Sequence, residues 1–266
     1  MKFKKFLAAA VLTVGSLCHA AVPVLIYHQI SDTLPPSETV ISLAKFSQQM
    51  AYLAGQGYTT LSMDELVAVM QGRQSLPEKP IVLTFDDGYK DVLLAVPVLN
   101  KYNFKASFWL ITGPLQEGHP LYLDWASIKK LVQNPRFEVQ SHSVTHPWDY
   151  PVDTLQSWAE GKTPRKGLAD VRSELAASKH VLETGLGRPV NYFAWPLGLY
   201  NDEMVQMAKE VGYKALLTVD DRAPNIVGGD VFKIKRMNVG GACDMKSFIA
   251  QLVDFRARNC PTKRSD

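Results

Sequence analysis

Ile81-Val82-Leu83-Thr84-Phe85-Asp86-Asp87-Gly88-Tyr89 is an apolar run of strand type that stops abruptly at two adjacent carboxylates and a glycine. Neighbouring carboxylates repel each other, and each resists burial unless a positive charge offsets it. Packing alone gives a core strand no reason to end this way, and a metal cation is the simplest offset. The competing reading is helix capping by Asp86 or Asp87 at a strand-to-helix turn. The residues on either side decide between the two.

Working outward, strand-like and helix-like segments alternate about seven times. Val22 to Tyr27 reads as a buried strand ending at His28. Leu43, Phe46, Met50 and Leu53 recur at helical spacing, and Ser62 with Glu65 forms a capping-box pattern. After the Asp-Asp-Gly strand, Asp91 to Tyr102 is helical in pattern with Pro97 as a kink. Further strands are expected at 104–111, at 137–140 (ending at Ser141-His142), at 191–195 and at 214–219. Val231 to Met237 is the candidate last strand and Met245 to Arg256 the last helix. Such alternation favours parallel βαβ units, and their number and the length of the chain favour an α/β fold of one domain, a distorted (β/α)7 barrel. In such barrels the chemistry sits at the C-terminal strand ends. Here those ends carry His28, Asp86-Asp87, His142 and Trp195-Pro196.

The first twenty residues stand apart. Lys2, Lys4 and Lys5 precede a short apolar stretch, Phe6 to Leu17, and Cys18-His19-Ala20 offers a small residue before a cut at Ala21. This reads as a secretory signal peptide, residues 1–20, with the domain occupying 21–266. Leu17, before Cys18, is the wrong residue for lipid attachment. The expected location is periplasmic or extracellular, with no stable membrane insertion after cleavage. The formal net charge of +3 falls to zero once the three leader lysines leave. The basic balance therefore belongs to the leader and points to no nucleic-acid partner. Cys243 and Cys260 remain, an even pair that favours a disulfide in an exported chain. Nothing in the composition calls for an oligomer, and a monomer is expected.

Ser141-His142-Ser143-Val144-Thr145-His146-Pro147 places two histidines at i and i+4, which on one helical turn share a face. Two imidazoles and one carboxylate with open positions make a catalytic rather than a closed structural zinc site. Co2+ or Ni2+ would suit the same donors. One aspartate of the pair suffices as ligand. The other is then free to act as general base toward a water whose pKa the metal lowers.

Thr84-Phe85-Asp86-Asp87-Gly88, the His142 to His146 stretch and Phe193-Ala194-Trp195-Pro196-Leu197-Gly198 resemble the first three motifs of the polysaccharide deacetylases, the NodB-homology carbohydrate esterases of family four. Tyr27-His28 and the region Tyr122 to Leu131 also resemble this group. The resemblance implies a distorted (β/α)7 barrel that removes N-acetyl groups from amino sugars in a polymer. It implies Asp86 as general base and Asp87, His142 and His146 as metal ligands. Trp195, Pro196 and Leu197 would line the groove, with a backbone N–H near Leu197 holding the oxyanion. Two departures stand out. Ala194 occupies the place of an arginine that orients the base, and no histidine follows His180 to supply the general acid. Both departures, with the early Tyr27-His28 pair, resemble the branch acting on poly-β-1,6-N-acetylglucosamine, a biofilm exopolysaccharide.

For the acid, His28 is the candidate because it ends a strand. His180 sits on a polar helix face, and His119 lies in a Gly/Pro loop. Tryptophan faces suit pyranose rings. Trp195 is favoured for stacking by its strand end, Trp125 follows, and Trp148 is read as ordinary rim packing. The expected function is metal-dependent N-deacetylation of an N-acetylglucosamine polysaccharide. The alternatives are a deacetylase of peptidoglycan, chitin oligomers or O-acetylated polysaccharide, and a carbohydrate-binding pseudo-enzyme.

Overall fold

β1 (Val24–Tyr27), β2 (Pro80–Phe85), β3 (Ala106–Leu110), β4 (Phe137–Ser141), β5 (Tyr192–Ala194), β6 (Ala215–Leu217) and β7 (Met237–Asn238) run parallel in the order β6-β5-β4-β3-β2-β1-β7. The computed structural model describes residues 21–220 and 225–253. One short segment closes the curl. Ile234 pairs in parallel with Leu217 of β6, while Met237 and Asn238 pair with Leu25 and Ile26 of β1. Among the described residues these seven strands form the expected α/β barrel, and Thr59–Thr60 adds an eighth parallel strand beside the start of β2.

Strand side chains alternate in direction, and the alternation sorts the strands' apolar residues into two cores. Val24, Val82, Trp109, Tyr192, Ala194, Ala215 and Leu217 form one cluster, inside the curl. Leu25, Leu83, Phe85, Phe108, Val139, Phe193 and Leu216 form the larger one, beneath the helices. Leu43–Gly55 buries Phe46, Met50 and Leu53 against that outer face, and Leu168–Leu186 buries Val171, Leu175 and Leu182. Both strand faces are covered, which is why the strands read as continuous apolar runs.

Two expectations need correction. Val231 to Met237 is not one strand. The Asp230 side chain accepts from Phe232 N–H and turns Val231–Lys233 into a single 3-10 turn, leaving a strand only at Met237–Asn238. Pro97 does not kink a helix. A 3-10 turn at Lys90–Leu94 comes first, and Pro97 falls in the first turn of Ala95–Lys101, where its missing N–H costs nothing. Cys243 is disulfide-bonded. Its expected partner Cys260 lies outside the described residues, as does the expected leader.

Candidate active site

The Asp-Asp-Gly turn aims its two carboxylates in different directions. Asp86 continues the inward register of β2, and its N–H donates to the Tyr27 carbonyl. Asp87 then adopts a left-handed backbone with φ 70°, and Gly88 follows at φ 80°. A side chain at Gly88 would meet Leu110 Cδ2 at 2.7 Å, so only glycine fits. The reversal swings Asp87 toward the end of β4. Its Oδ1 lies 3.6 Å from His142 Nε2 and 3.8 Å from His146 Nε2.

The two histidines meet without a helical turn, contrary to the expectation from their spacing. Ser143 and His146 are both left-handed, with φ 70° and 49°, and the loop folds until the imidazole centroids are 4.6 Å apart. A buried carboxylate holds this loop. Glu174, on the Leu168–Leu186 helix, accepts from Val144 N–H at 2.7 Å, Thr145 N–H at 2.9 Å and the Thr145 hydroxyl at 2.8 Å. Donor atoms of Asp87, His142 and His146 all lie within 4.8 Å of one another.

His142 is pre-set for ligation. Its Nδ1 sits 2.8 Å from the Ala194 carbonyl. A carbonyl only accepts, so the proton is on Nδ1 and the Nε2 lone pair faces Asp87. Burial, with the positive charge of Arg236 and the neighbouring His146 adding, pushes His142 down to about 3, outweighing Asp86 and the Ala194 bond. Burial also lowers His146. Asp87 is pushed up by burial to about 6, with Asp86 adding and His28 and Arg236 opposing. Two neutral imidazoles and a carboxylate that needs a positive partner are a donor set that fits a divalent metal.

The residue that sequence reading missed is Arg236. It is completely buried, and its Nη1 and Nη2 donate to Asp86 Oδ1 at 2.7 Å and Oδ2 at 2.8 Å. Nε donates to the Thr218 carbonyl and Nη1 also reaches Thr84 Oγ1. This two-pronged grip fixes both the position and the plane of the carboxylate. Burial alone would raise Asp86. Arg236 opposes it most strongly, His142 and His28 add to that, and Asp86 falls to about 2. Because His142 is itself held neutral, the guanidinium is what keeps Asp86 ionised. The arginine missing at Ala194 thus arrives from the closing segment between β6 and β7. A signal for it existed: Arg236 shares period-two register with Ile234, which pairs into the barrel.

The other predicted residues divide. His28 lies close enough to bias both carboxylates electrostatically, and its Nδ1 is buried without a hydrogen-bond partner among the described residues. Leu197 is 41% exposed at the mouth and left-handed at φ 57°, while Pro196 is buried beneath it. Gly198 beside them is forced, because a Cβ there would lie 2.4 Å from Val219 N. Trp195 must be corrected. With Ala194 inward, Trp195 points outward, is 1% exposed and packs against Phe193 and Tyr200, so no sugar can reach its ring faces. Trp125 is half-buried, with its six-membered ring against Gly185 of the Leu168–Leu186 helix. Trp148, read as rim packing, is instead 74% exposed.

The sequence matches the polysaccharide deacetylase profile over residues 73–216, more than half of the chain. The chain belongs to the polysaccharide deacetylase family. The Bacillus subtilis polysaccharide deacetylase-family protein YxkH is 28% identical over 238 residues, covering 89% of this chain and 78% of that protein. The Escherichia coli poly-beta-1,6-N-acetyl-D-glucosamine N-deacetylase is 20% identical over 261 residues, and the match covers 88% of this chain but 38% of that enzyme. Among solved structures, the Streptococcus pyogenes deacetylase PplD in complex with acetate superposes with a TM-score of 0.75 at 25% identity, over 88% of this chain and 98% of that one. Among the described residues of this polysaccharide deacetylase, no helix is long and apolar enough to cross a membrane.

Proposed function

We propose that the chain is an exported, metal-dependent N-deacetylase of an N-acetylglucosamine polymer, with the β-1,6-linked exopolysaccharide as substrate. One observation carries this reading. A carboxylate kept ionised and aimed by a buried arginine (Asp86 with Arg236) stands 3.6 Å from His142 Nε2, beside the donor set Asp87, His142 and His146. A divalent ion held there, Zn2+ by donor chemistry with Co2+ or Ni2+ also suited, would polarise the acetamide carbonyl and acidify the attacking water.

The chain's own groups supply the rest. Asp86 takes the water's proton as the oxygen adds to the carbonyl carbon. The Leu197 N–H, which donates in no hydrogen bond among the described residues, lies at the mouth of the site, suited to the oxygen as it gains charge. His28 donates a proton to the departing nitrogen when the C–N bond breaks, and acetate and a free amine leave. Arg236 also removes one motive for a binding-only reading, because the base does not lack its arginine.

The β-1,6 linkage is supported by the activity of the Escherichia coli relative, and export by the leader-like residues 1–20; the chain acts as a monomer in the periplasm or outside the cell. The test is acetate release from β-1,6 and β-1,4 N-acetylglucosamine oligomers side by side, with zinc, cobalt or nickel supplied. Faster release from the β-1,6 series is expected. Preference for β-1,4 would overturn the linkage, and no release from either with metal bound would overturn the deacetylase reading.

A further inference from the structure

The loop that carries His146 continues directly into a two-stranded hairpin, Trp148–Asp149 paired with Asp153–Thr154. It follows β4, so it stands on the C-terminal face of the barrel with the catalytic cluster. Trp148 is two residues from His146, at most about 7 Å along the chain, and Tyr150 at most about 14 Å. Both residues are therefore close enough along the chain to meet sugar units next to the reacting acetamide.

The hairpin presents its large side chains to solvent. Trp148 is 74% exposed, Tyr150 63% and Val152 57%. The backbone beneath them is pinned. The Val152 carbonyl accepts from Thr163 Oγ1 at 2.6 Å and from Ser157 Oγ at 3.2 Å. Trp158 Nε1 donates to Asp153 Oδ1, and Thr154 and Ser157 cap each other at the start of the next helix. Exposed rings on a tethered support lose little conformational freedom on binding. Three large apolar side chains left exposed within five residues are a candidate interaction site.

The charge pattern selects the occupant. Residues 147–154 contain two aspartates and no base, and of the nearby bases Lys162 is paired with Glu160 at 2.6 Å and Lys166 with Asp170 at 3.5 Å. An anionic lipid surface would require lysine or arginine here. A polymer of amino sugars fits instead, because its apolar ring faces match indole and phenol. Each unit already deacetylated also carries an ammonium group that exposed Asp149 can pair with.

We propose that hairpin 148–154 is a sugar-binding platform for the polymer units flanking the one being deacetylated, with Trp148 and Tyr150 as stacking faces and Asp149 reading the free amine. This rests on the deacetylase reading above and extends it to recognition of partly processed chains. The experiment titrates the metal-loaded protein with N-acetylglucosamine oligomers of two and five units, fully acetylated and half deacetylated, by calorimetry. Wild type should gain affinity with length. Trp148→Ala and Tyr150→Ala should each weaken five-unit binding about tenfold, Trp148→Phe should retain most of it, and Val227→Ala, at an exposed apolar site elsewhere, should change nothing. Asp149→Asn should abolish any preference for the half-deacetylated form. Unchanged five-unit affinity in both alanine variants would overturn the platform, as would Trp148-dependent sedimentation with phosphatidylcholine or phosphatidylserine vesicles without any effect on oligomers. Acetate release is followed in parallel: binding without release from any oligomer would count against the deacetylase reading and leave the platform standing.

Discussion

Replacing Arg236 by methionine keeps most of the side-chain volume and strands the Asp86 carboxylate. In the native protein the pair is buried on both sides, 0% and 3% exposed, and joined by two hydrogen bonds. Removing one partner of such a pair costs about 3–5 kcal/mol, chiefly because the remaining charge has no counter-ion. The same pairing makes stability depend on pH. Asp86 is lowered from 3.8 to about 2, and a group whose folded value is depressed stabilises the fold above its unfolded value. That contribution, roughly 2.5 kcal/mol, is complete above about pH 5 and is lost as pH falls through about 2. In Arg236→Met, burial acts unopposed by the guanidinium, so the carboxyl protonates at higher pH and the acid-side loss over this window disappears. The assay is denaturant unfolding of the EDTA-treated protein from pH 2 to 7. A second variant, Asp86→Asn with Arg236→Met, should recover part of the loss at pH 7, because no charge is then stranded. Turnover of Arg236→Met should fall by on the order of 100-fold with metal content intact. Parallel stability profiles for wild type and Arg236→Met between pH 2 and 5, with turnover within about twofold of wild type, would show that Arg236 neither holds Asp86 ionised nor aims it.

Glu174→Gln should weaken zinc binding about tenfold in a chelator competition, because one of three acceptor contacts that shape the His146 loop is lost or inverted. Gly88→Ala should cost about 1–3 kcal/mol in thermal unfolding, since it combines φ 80° with a 2.7 Å approach to Leu110. His28→Ala should leave metal stoichiometry unchanged and cut turnover on acetylated oligomers; turnover equal to wild type would remove His28 from the proton-transfer step.

What the sequence made legible follows from where the information is stored. The Asp86-Asp87 pair and His142 follow the ends of apolar runs, so strand periodicity placed them on one face, while His146 came from its spacing to His142 and the choice of Asp87 over Asp86 from the family resemblance. The barrel followed from the same alternation. Arg236 was not legible as the partner of Asp86 because it lies 150 residues away, in a segment whose lysines resemble ordinary surface charge and whose strand is two residues long. Trp195 was misplaced for a simpler reason. A strand end does not by itself give the side chain's direction: once Ala194 faces the barrel interior, its neighbour must face the helices. Trp148 went the other way, because a hairpin of two-residue strands leaves too short a pattern to read.

In the proposed mechanism Asp86, aimed by Arg236, works beside a metal held by Asp87, His142 and His146. The most direct measurement is acetate release from a β-1,6 N-acetylglucosamine oligomer by wild type and Asp87→Asn, before EDTA treatment, after it, and after zinc is restored. Wild type is expected to release acetate, EDTA to abolish that release and zinc to restore it, and Asp87→Asn to release none. Undiminished release from the metal-stripped protein, or from Asp87→Asn, would contradict this mechanism.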